Sequence, residues 1–195
     1  WKYRSFGPDE KLYFGLGSPC DDCDAVTEKQ DERFSTIMRM SADGSGLEPY
    51  VHGVRNSVGL AWHPENKHLY FTDNGRDLLG DDAPNDELNR ATEAGQHFGF
   101  PFIHGGDLPD PKLGEGKNPD DYVKPIQQLG AHVAPLGLKF YTGAQFPADY
   151  KHRLFIAQHG SWNRTVKVWY RVMQVTLDEG GNAATYDEFA TGWLY

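Results

Sequence analysis

Cysteine is nearly absent. The 195 residues hold two, both in Cys20-Asp-Asp-Cys23. A zinc site needs further ligands at matching spacing, and there is no second cysteine pair to supply them. Asp21, Asp22 and Asp24 would raise the thiol pKa, which argues against a thioredoxin-like redox motif. The expected state is a local structural disulfide in an exported protein, with two inert thiols as the alternative. Basic side chains are also in deficit: 19 Lys and Arg stand against 28 Asp and Glu, giving a net charge of −9 and a pI near 5.3. That balance excludes a binder of the phosphate backbone, so no nucleic-acid partner is expected. No apolar run approaches the ~20 residues of a membrane span. Trp1 is neither an initiator methionine nor the start of a signal peptide, so the chain reads as processed or as part of a longer polypeptide.

Glycine, proline and aromatic residues are plentiful: 22 Gly, 12 Pro, 11 Phe, 10 Tyr and 5 Trp. Many turns with many aromatics predict short strands. A phrase repeats along the chain. Phe6-Gly-Pro-Asp-Glu, then Lys11-Leu-Tyr-Phe14, recurs as Trp62-His63-Pro64-Glu65, then Lys67-His68-Leu69-Tyr70-Phe71. A third copy runs from Phe140 through Pro147 to Arg153-Leu154-Phe155-Ile156-Ala157. A second unit, Ile37 to Met40, Asp43-Gly44, Tyr50 to Gly53, resembles Val172 to Val175, Asp178, Phe189 to Gly192. Joined, the two units make four antiparallel strands, one propeller blade of roughly 45 residues. The chain therefore reads as all-β, a partial β-propeller of about four blades over residues 1–195, interrupted by a long inserted loop at about 91–135. An immunoglobulin-like sandwich fits less well, because its strands do not repeat whole phrases.

Three segments carry candidate chemistry. Gly53-Val-Arg55-Asn56-Ser57-Val-Gly59 sets a guanidinium and an amide side by side on a Gly-bounded turn, a grip for a planar anion with carbonyl oxygens. The bland reading is an arginine paired with a neighbouring carboxylate. Next, Asp73, Asp77, Asp81, Asp82, Asp86 and Glu87 crowd one stretch around Asn74-Gly75-Arg76. They suggest Ca²⁺, although the EF-hand pattern fails at Leu78 and Pro84; a solvated acidic loop is the alternative. Backbone carbonyls beside Gly75 could also be ligands and leave no side-chain signature. Third, His159-Gly-Ser161-Trp162-Asn163-Arg164 follows a strand directly, as functional rims do. Gly-x-Ser-x-Gly is absent, so no serine hydrolase follows. Asn163-Arg-Thr165 formally matches a glycosylation sequon. The other histidines show no HExxH or i,i+4 pairing, and only His132, at the end of the insertion, stands out.

Taken in order, Phe6 to Gly17, Gly53 to Pro64, Phe71 to Asp77 with Asp86-Glu-Leu-Asn89, Phe98-Gly-Phe-Pro101, His132 to Gly143 and His159 to Arg164 resemble the soluble glucose/sorbosone dehydrogenase family, its sorbosone-dehydrogenase-like branch especially. The resemblance implies a six-bladed β-propeller that binds pyrroloquinoline quinone (PQQ) and Ca²⁺ and oxidises an aldose or related polyol at C1. It implies a periplasmic or secreted enzyme that passes electrons to a quinone or a cytochrome. It gives Arg55 and Asn56 to the cofactor, with Arg55 as the catalytic charge. It gives the Gly75 and Arg76 carbonyls to the metal, Asp86 and Glu87 to their support, and Arg164 to a cofactor carboxylate. The family's general-base histidine would lie about two residues before Trp1, and further cofactor arginines beyond Tyr195. A propeller that binds a sugar or a protein without catalysis is the competing expectation.

Overall fold

The structure is a computed structural model and describes residues 2–29, 31–161, 163–168 and 170–193. Strands β1 (Arg4–Phe6), β2 (Leu12–Leu16), β3 (Thr36–Met40) and β4 (Glu48–His52) form the first antiparallel sheet in that order. The second contains β5 (Ser57–Trp62), β6 (Leu69–Asp73) and β7 (Asn85–Ala91), and closes on β10 (Gln127–Ala131). The third runs β11 (Pro135–Phe140), β12 (Leu154–Gln158), β13 (Arg171–Leu177), β14 (Ala183–Ala190). A two-stranded ribbon, β8 (Ile103–His104) with β9 (Leu108–Pro109), lies in the insertion. Four antiparallel sheets result, and three of them are four-stranded blades. The residues that repeat arithmetic allots to a fourth blade are spent in the insertion, whose last strand, β10, completes the second blade. No helix among the described residues is long and apolar enough to cross a membrane.

The repeated phrase has a backbone counterpart. In all three blades the turn between the first two strands ends on a non-glycine residue with positive φ: Glu10 (62°), Lys67 (63°) and His152 (64°). Each is followed by a basic residue or histidine and then leucine: Lys11-Leu12, His68-Leu69, Arg153-Leu154. The left-handed conformation costs an ordinary residue roughly 1 kcal/mol, so three equivalent occurrences mark one structural unit used three times.

The blades stack through two apolar layers. Tyr13, Ile37, Val51, Leu69, Phe71 and Phe98 join the first blade to the second; Tyr70, Leu88, Leu129, Leu154, Ile156 and Val175 join the second to the third. Strand β6 is buried throughout and sends Leu69 and Phe71 to one layer and Tyr70 to the other, the period-two alternation of a strand covered on both faces. The inner strands β5 and β11 meet at Gly59, where a Cβ would lie 2.7 Å from the Leu138 Cβ. Only glycine permits that approach.

The insertion is stitched to the outer edge of the first blade. His52 N donates to the Gln96 carbonyl at 2.9 Å, Phe98 N to that of His52 at 2.9 Å, and Phe100 N to that of Gly53 at 3.1 Å. Phe98 then packs edge-on against Phe71 with ring centroids 4.9 Å apart. His97 Nδ1 accepts the Gly99 N–H at 3.1 Å, which requires the ring to be neutral there. Burial, reinforced by His52, pulls the His97 pKa down to about 4. The folded value is therefore below the ordinary one near 6.5. The stabilisation is fully present above pH 6.5 and is lost as pH falls towards 4, by up to about 3 kcal/mol. Thermal midpoints measured between pH 7 and pH 4 should fall less steeply in His97→Gln than in the wild type; parallel profiles would contradict this account of the seam.

Candidate functional site

Strands β2, β6 and β12 all end, and β5 and β11 begin, at one end of the blades. Five connections therefore meet there: 17–35, 53–56, 74–84, 132–134 and 159–170. The opposite end carries the short repeated turns. Convergence of sequence-distant loops at one end is the general property of stacked radial sheets.

Asp73, the last residue of β6, organises the centre. It is 5% exposed. Its Oδ2 accepts the Arg55 N–H at 2.8 Å, and its Oδ1 accepts the Asn56 N–H at 2.7 Å and the Ser57 hydroxyl at 3.1 Å. Asn74 Nδ2 donates to the Asn56 carbonyl at 2.8 Å. The 53–56 turn is thus hung from the end of the neighbouring strand. From it the Arg55 guanidinium reaches the Gly75 carbonyl (Nη1, 2.6 Å) and the carboxylates of Asp77 (Nη2, 2.8 Å) and Asp21 (Nη2, 2.6 Å). Its Nε is buried without an acceptor. Gly75 N–H in turn donates to Asp86 Oδ1 at 2.8 Å, and Asp86 Oδ2 accepts the Ala134 N–H at 2.9 Å. Asp86 therefore ties the Gly75 turn to the connection between β10 and β11.

Arg55, Asn56, Gly75, Asp77, Asp86 and His132 line a cavity of about 350 Å³. A second basin of about 370 Å³ opens on the other side of Arg55, against Ser18, Cys20 and Asp21. Carboxylates dominate the electrostatics. Burial raises the pKa of Asp86 to about 6, and burial together with the charge of Asp73 raises Glu87 to about 8. Burial also raises Asp73. Each keeps hydrogen-bond donors, yet no lysine or arginine is paired with Asp86 or Glu87 among the described residues. A nearby divalent cation would relieve that repulsion and favour the charged forms. Among the described residues no three His, Cys, Asp or Glu side chains converge with metal geometry, so a cation here would draw on main-chain carbonyls, such as those at Gly75 and Arg76. At Gly75 a Cβ would lie 3.1 Å from Pro84 and 3.2 Å from the Asn85 carbonyl. Side-chain bulk is kept off the turn on that side. Main-chain carbonyls of this kind are ligands that a hard, oxygen-seeking cation accepts.

The motif residues are distributed unevenly. Arg55, Asn56 and Gly75 come together as their motifs imply. Arg76 turns its side chain away, into Asp110, with Asp21 at 3.8 Å and Asp22 at 3.7 Å. His132, with φ 57°, lines the cavity and sets its Nε2 against the Gly80 carbonyl at 2.9 Å and that of Ala83 at 3.1 Å. Arg164 lines neither basin. Its guanidinium is held by the Asp81 carbonyl at 2.6 Å and the Asp82 carboxylate at 3.1 Å. His159 packs its ring on Tyr170, Ser161 accepts the Val168 N–H at 3.0 Å, and Trp162 lies outside the described residues. Arg55 has the carboxylate partners of the bland reading: its side chain pairs with two aspartates, and it borders both basins.

Sequence reasoning missed Asp110 and the role of Asp21. Asp110, in the insertion, is 3% exposed. Burial alone would raise its pKa, but bonds from His104, the Lys112 and Leu113 amides and Arg76 hold it down to about 2. The insertion so anchors the Gly75–Arg76 turn from outside the blade. A buried arginine demands an acid, but nothing local says which of 28 acidic residues will supply it.

Cys20 and Cys23 form a disulfide, with Cα atoms 5.9 Å apart, and no free cysteine remains among the described residues.

The family model for glucose/sorbosone dehydrogenases matches residues 4–188. An uncharacterized protein of Borreliella burgdorferi is 44% identical over 163 residues, covering 82% of this chain and 43% of that protein. The calcium structure of Trichoderma reesei Carbohydrate-Active Enzymes Family AA12 superposes with a TM-score of 0.75 at 20% identity, over 96% of this chain and 56% of that one. The holo form of the pyranose dehydrogenase PQQ domain from Coprinopsis cinerea gives 0.71 at 19% identity, over 96% and 55%. At such identities the likeness is one of fold. The chain spans about half the length of these proteins. With a match that runs through nearly all of it, and with Arg55, Asn56 and Gly75 joined at one end of the stacked blades, the chain belongs to the glucose/sorbosone dehydrogenase family.

Proposed function

We propose that the protein of which this chain is part oxidises a sugar of the aldose or sorbosone type at C1, with PQQ as electron acceptor and Ca²⁺ as its partner, in the periplasm or outside the cell. The observation that carries the reading is the junction of Arg55 with the Gly75 carbonyl at 2.6 Å, beside a 350 Å³ cavity lined by Asn56 and Asp86. When bound, PQQ supplies a two-electron acceptor whose carbonyl oxygens gain negative charge. Arg55 would supply a fixed positive charge, on a turn whose amides are held by Asp73. Asn56 offers an amide next to it. Its Oδ1 accepts from Lys2 Nζ at 2.6 Å, which leaves its N–H donors for the cavity. The Gly75 and Arg76 carbonyls would face the cation, the first of them shared with Arg55, and Asp86 fixes the turn that presents them. Arg164, held by Asp81 and Asp82 outside both basins, would have to leave those partners to reach a cofactor carboxylate.

Among the described histidines at this end, His132 is engaged with two carbonyls, His104 with Asp110 at 2.9 Å, and His159 packs on Tyr170. By the family resemblance, the base for the sugar hydroxyl proton would be a histidine just before Trp1. The physiological oxidant that regenerates the cofactor is a quinone or a cytochrome. The whole protein, loaded with PQQ and Ca²⁺, should reduce an artificial acceptor when an aldose is added. Sugar binding with no turnover would instead establish the non-catalytic propeller.

A further inference from the structure

We propose that Asp21, held in place by the Cys20–Cys23 disulfide, is a positioning residue that fixes the direction of Arg55 and Arg76; its catalytic consequence rests on the function proposed above. The segment 17–23 is pressed onto the 53–56 turn. Ser18 N–H donates to the Arg55 carbonyl at 2.8 Å, and a Cβ at Gly17 would collide with that same carbonyl oxygen. From this seat Asp21 Oδ1 takes Arg55 Nη2 at 2.6 Å and the Asp77 N–H at 2.9 Å. Its Oδ2 faces Arg76 Nε at 3.8 Å. Asp22 faces Arg76 Nη2 at 3.7 Å, and its carbonyl accepts from Lys112 Nζ at 3.3 Å.

The disulfide encloses only Asp21 and Asp22. So small a ring restricts the main chain that carries the two carboxylates; Asp21 meets both Arg55 and Arg76, and Asp22 meets Arg76. One carboxylate thus bridges the residue given to the cofactor, Arg55, and the loop given to the metal, through the Asp77 amide and Arg76. Arg55 has two carboxylate partners, Asp77 and Asp21; removing the second leaves its long, rotamer-rich side chain held only by Asp77 and the Gly75 carbonyl. Charge-assisted bonds of this kind are roughly twice as strong as neutral ones.

The test uses the whole protein and two readouts. In the cofactor-free protein, phenylglyoxal modification of Arg55, followed by peptide mass, should run about tenfold faster in Asp21→Asn than in the wild type. The rate at exposed Arg33 should not change. Cys20→Ser/Cys23→Ser should move Arg55 in the same direction, with the thermal midpoint reported for each variant to show that it folds. With PQQ, Ca²⁺ and an aldose, Asp21→Asn should lower kcat about tenfold and leave KM close to the wild-type value. An unchanged Arg55 modification rate in Asp21→Asn and in the double cysteine variant overturns the positioning role. A faster rate in a protein with no PQQ-dependent turnover in the wild type would keep the positioning role and overturn the proposed function instead.

Discussion

Replacing Arg55 by alanine should lower kcat of the whole protein, loaded with PQQ and Ca²⁺, by about 10²- to 10³-fold, the usual loss when one preorganised donor is taken from a site of developing charge. The expectation is large because the guanidinium is already in position. Its main chain is fixed by Asp73, and its Nη atoms by the Gly75 carbonyl, Asp77 and Asp21, so its charge is held at the edge of the cavity. Arg55→Lys should rescue poorly. An ammonium on a flexible stem cannot hold a carbonyl and two carboxylates in one plane. Wild-type kcat in Arg55→Ala would remove the residue from the catalytic account and leave the bland reading, an arginine paired with acids.

The second large effect belongs to Asp73. Alanine there leaves the half-buried Arg55 and Asn56 amides without the acceptor that a buried Asp73 supplies. Unsatisfied buried donors cost about 1–3 kcal/mol each, so a loss of about 3 kcal/mol is expected. That corresponds to a fall of about 4 °C in Tm if a propeller of about twice this chain's length melts as one unit. Asp73→Asn keeps one acceptor oxygen and should fall about half as far. Both should lose turnover, because the 53–56 turn no longer presents Arg55. A Tm within 1–2 °C of the wild type in Asp73→Ala, the size of a surface substitution, would show that other contacts hold the turn.

The blades were legible because their information is local. The Pro turn, the left-handed residue before Lys11, His68 and Arg153, and the alternation along Leu69 to Thr72 all lie within a few residues of one another. Arg55-Asn56 and Asn74-Gly75 were legible for a similar reason, being short motifs at strand ends that the propeller brings together. The pairing of the acids was not. Asp21 stood beside two cysteines and looked like a perturber of thiols; its partners are 34 and 55 residues away in sequence. Asp110 sits in the long inserted loop, whose start is sewn to the end of strand β4 through Gln96, Phe98 and Phe100. Arg164 was aligned towards the cofactor, but Asp81 and Asp82 lie closer and hold it. Long charged side chains select among distant partners by tertiary position, which spacing does not encode.

The central claim is that the junction of Arg55 with the Gly75 turn holds PQQ and Ca²⁺ together. Its most direct measurement is the binding of PQQ to the cofactor-free whole protein, titrated with and without Ca²⁺ and followed by cofactor absorbance. The account predicts saturable binding that tightens when Ca²⁺ is present and weakens at least tenfold in Arg55→Ala. PQQ binding that is indifferent both to Ca²⁺ and to Arg55, or no binding at all, would contradict it.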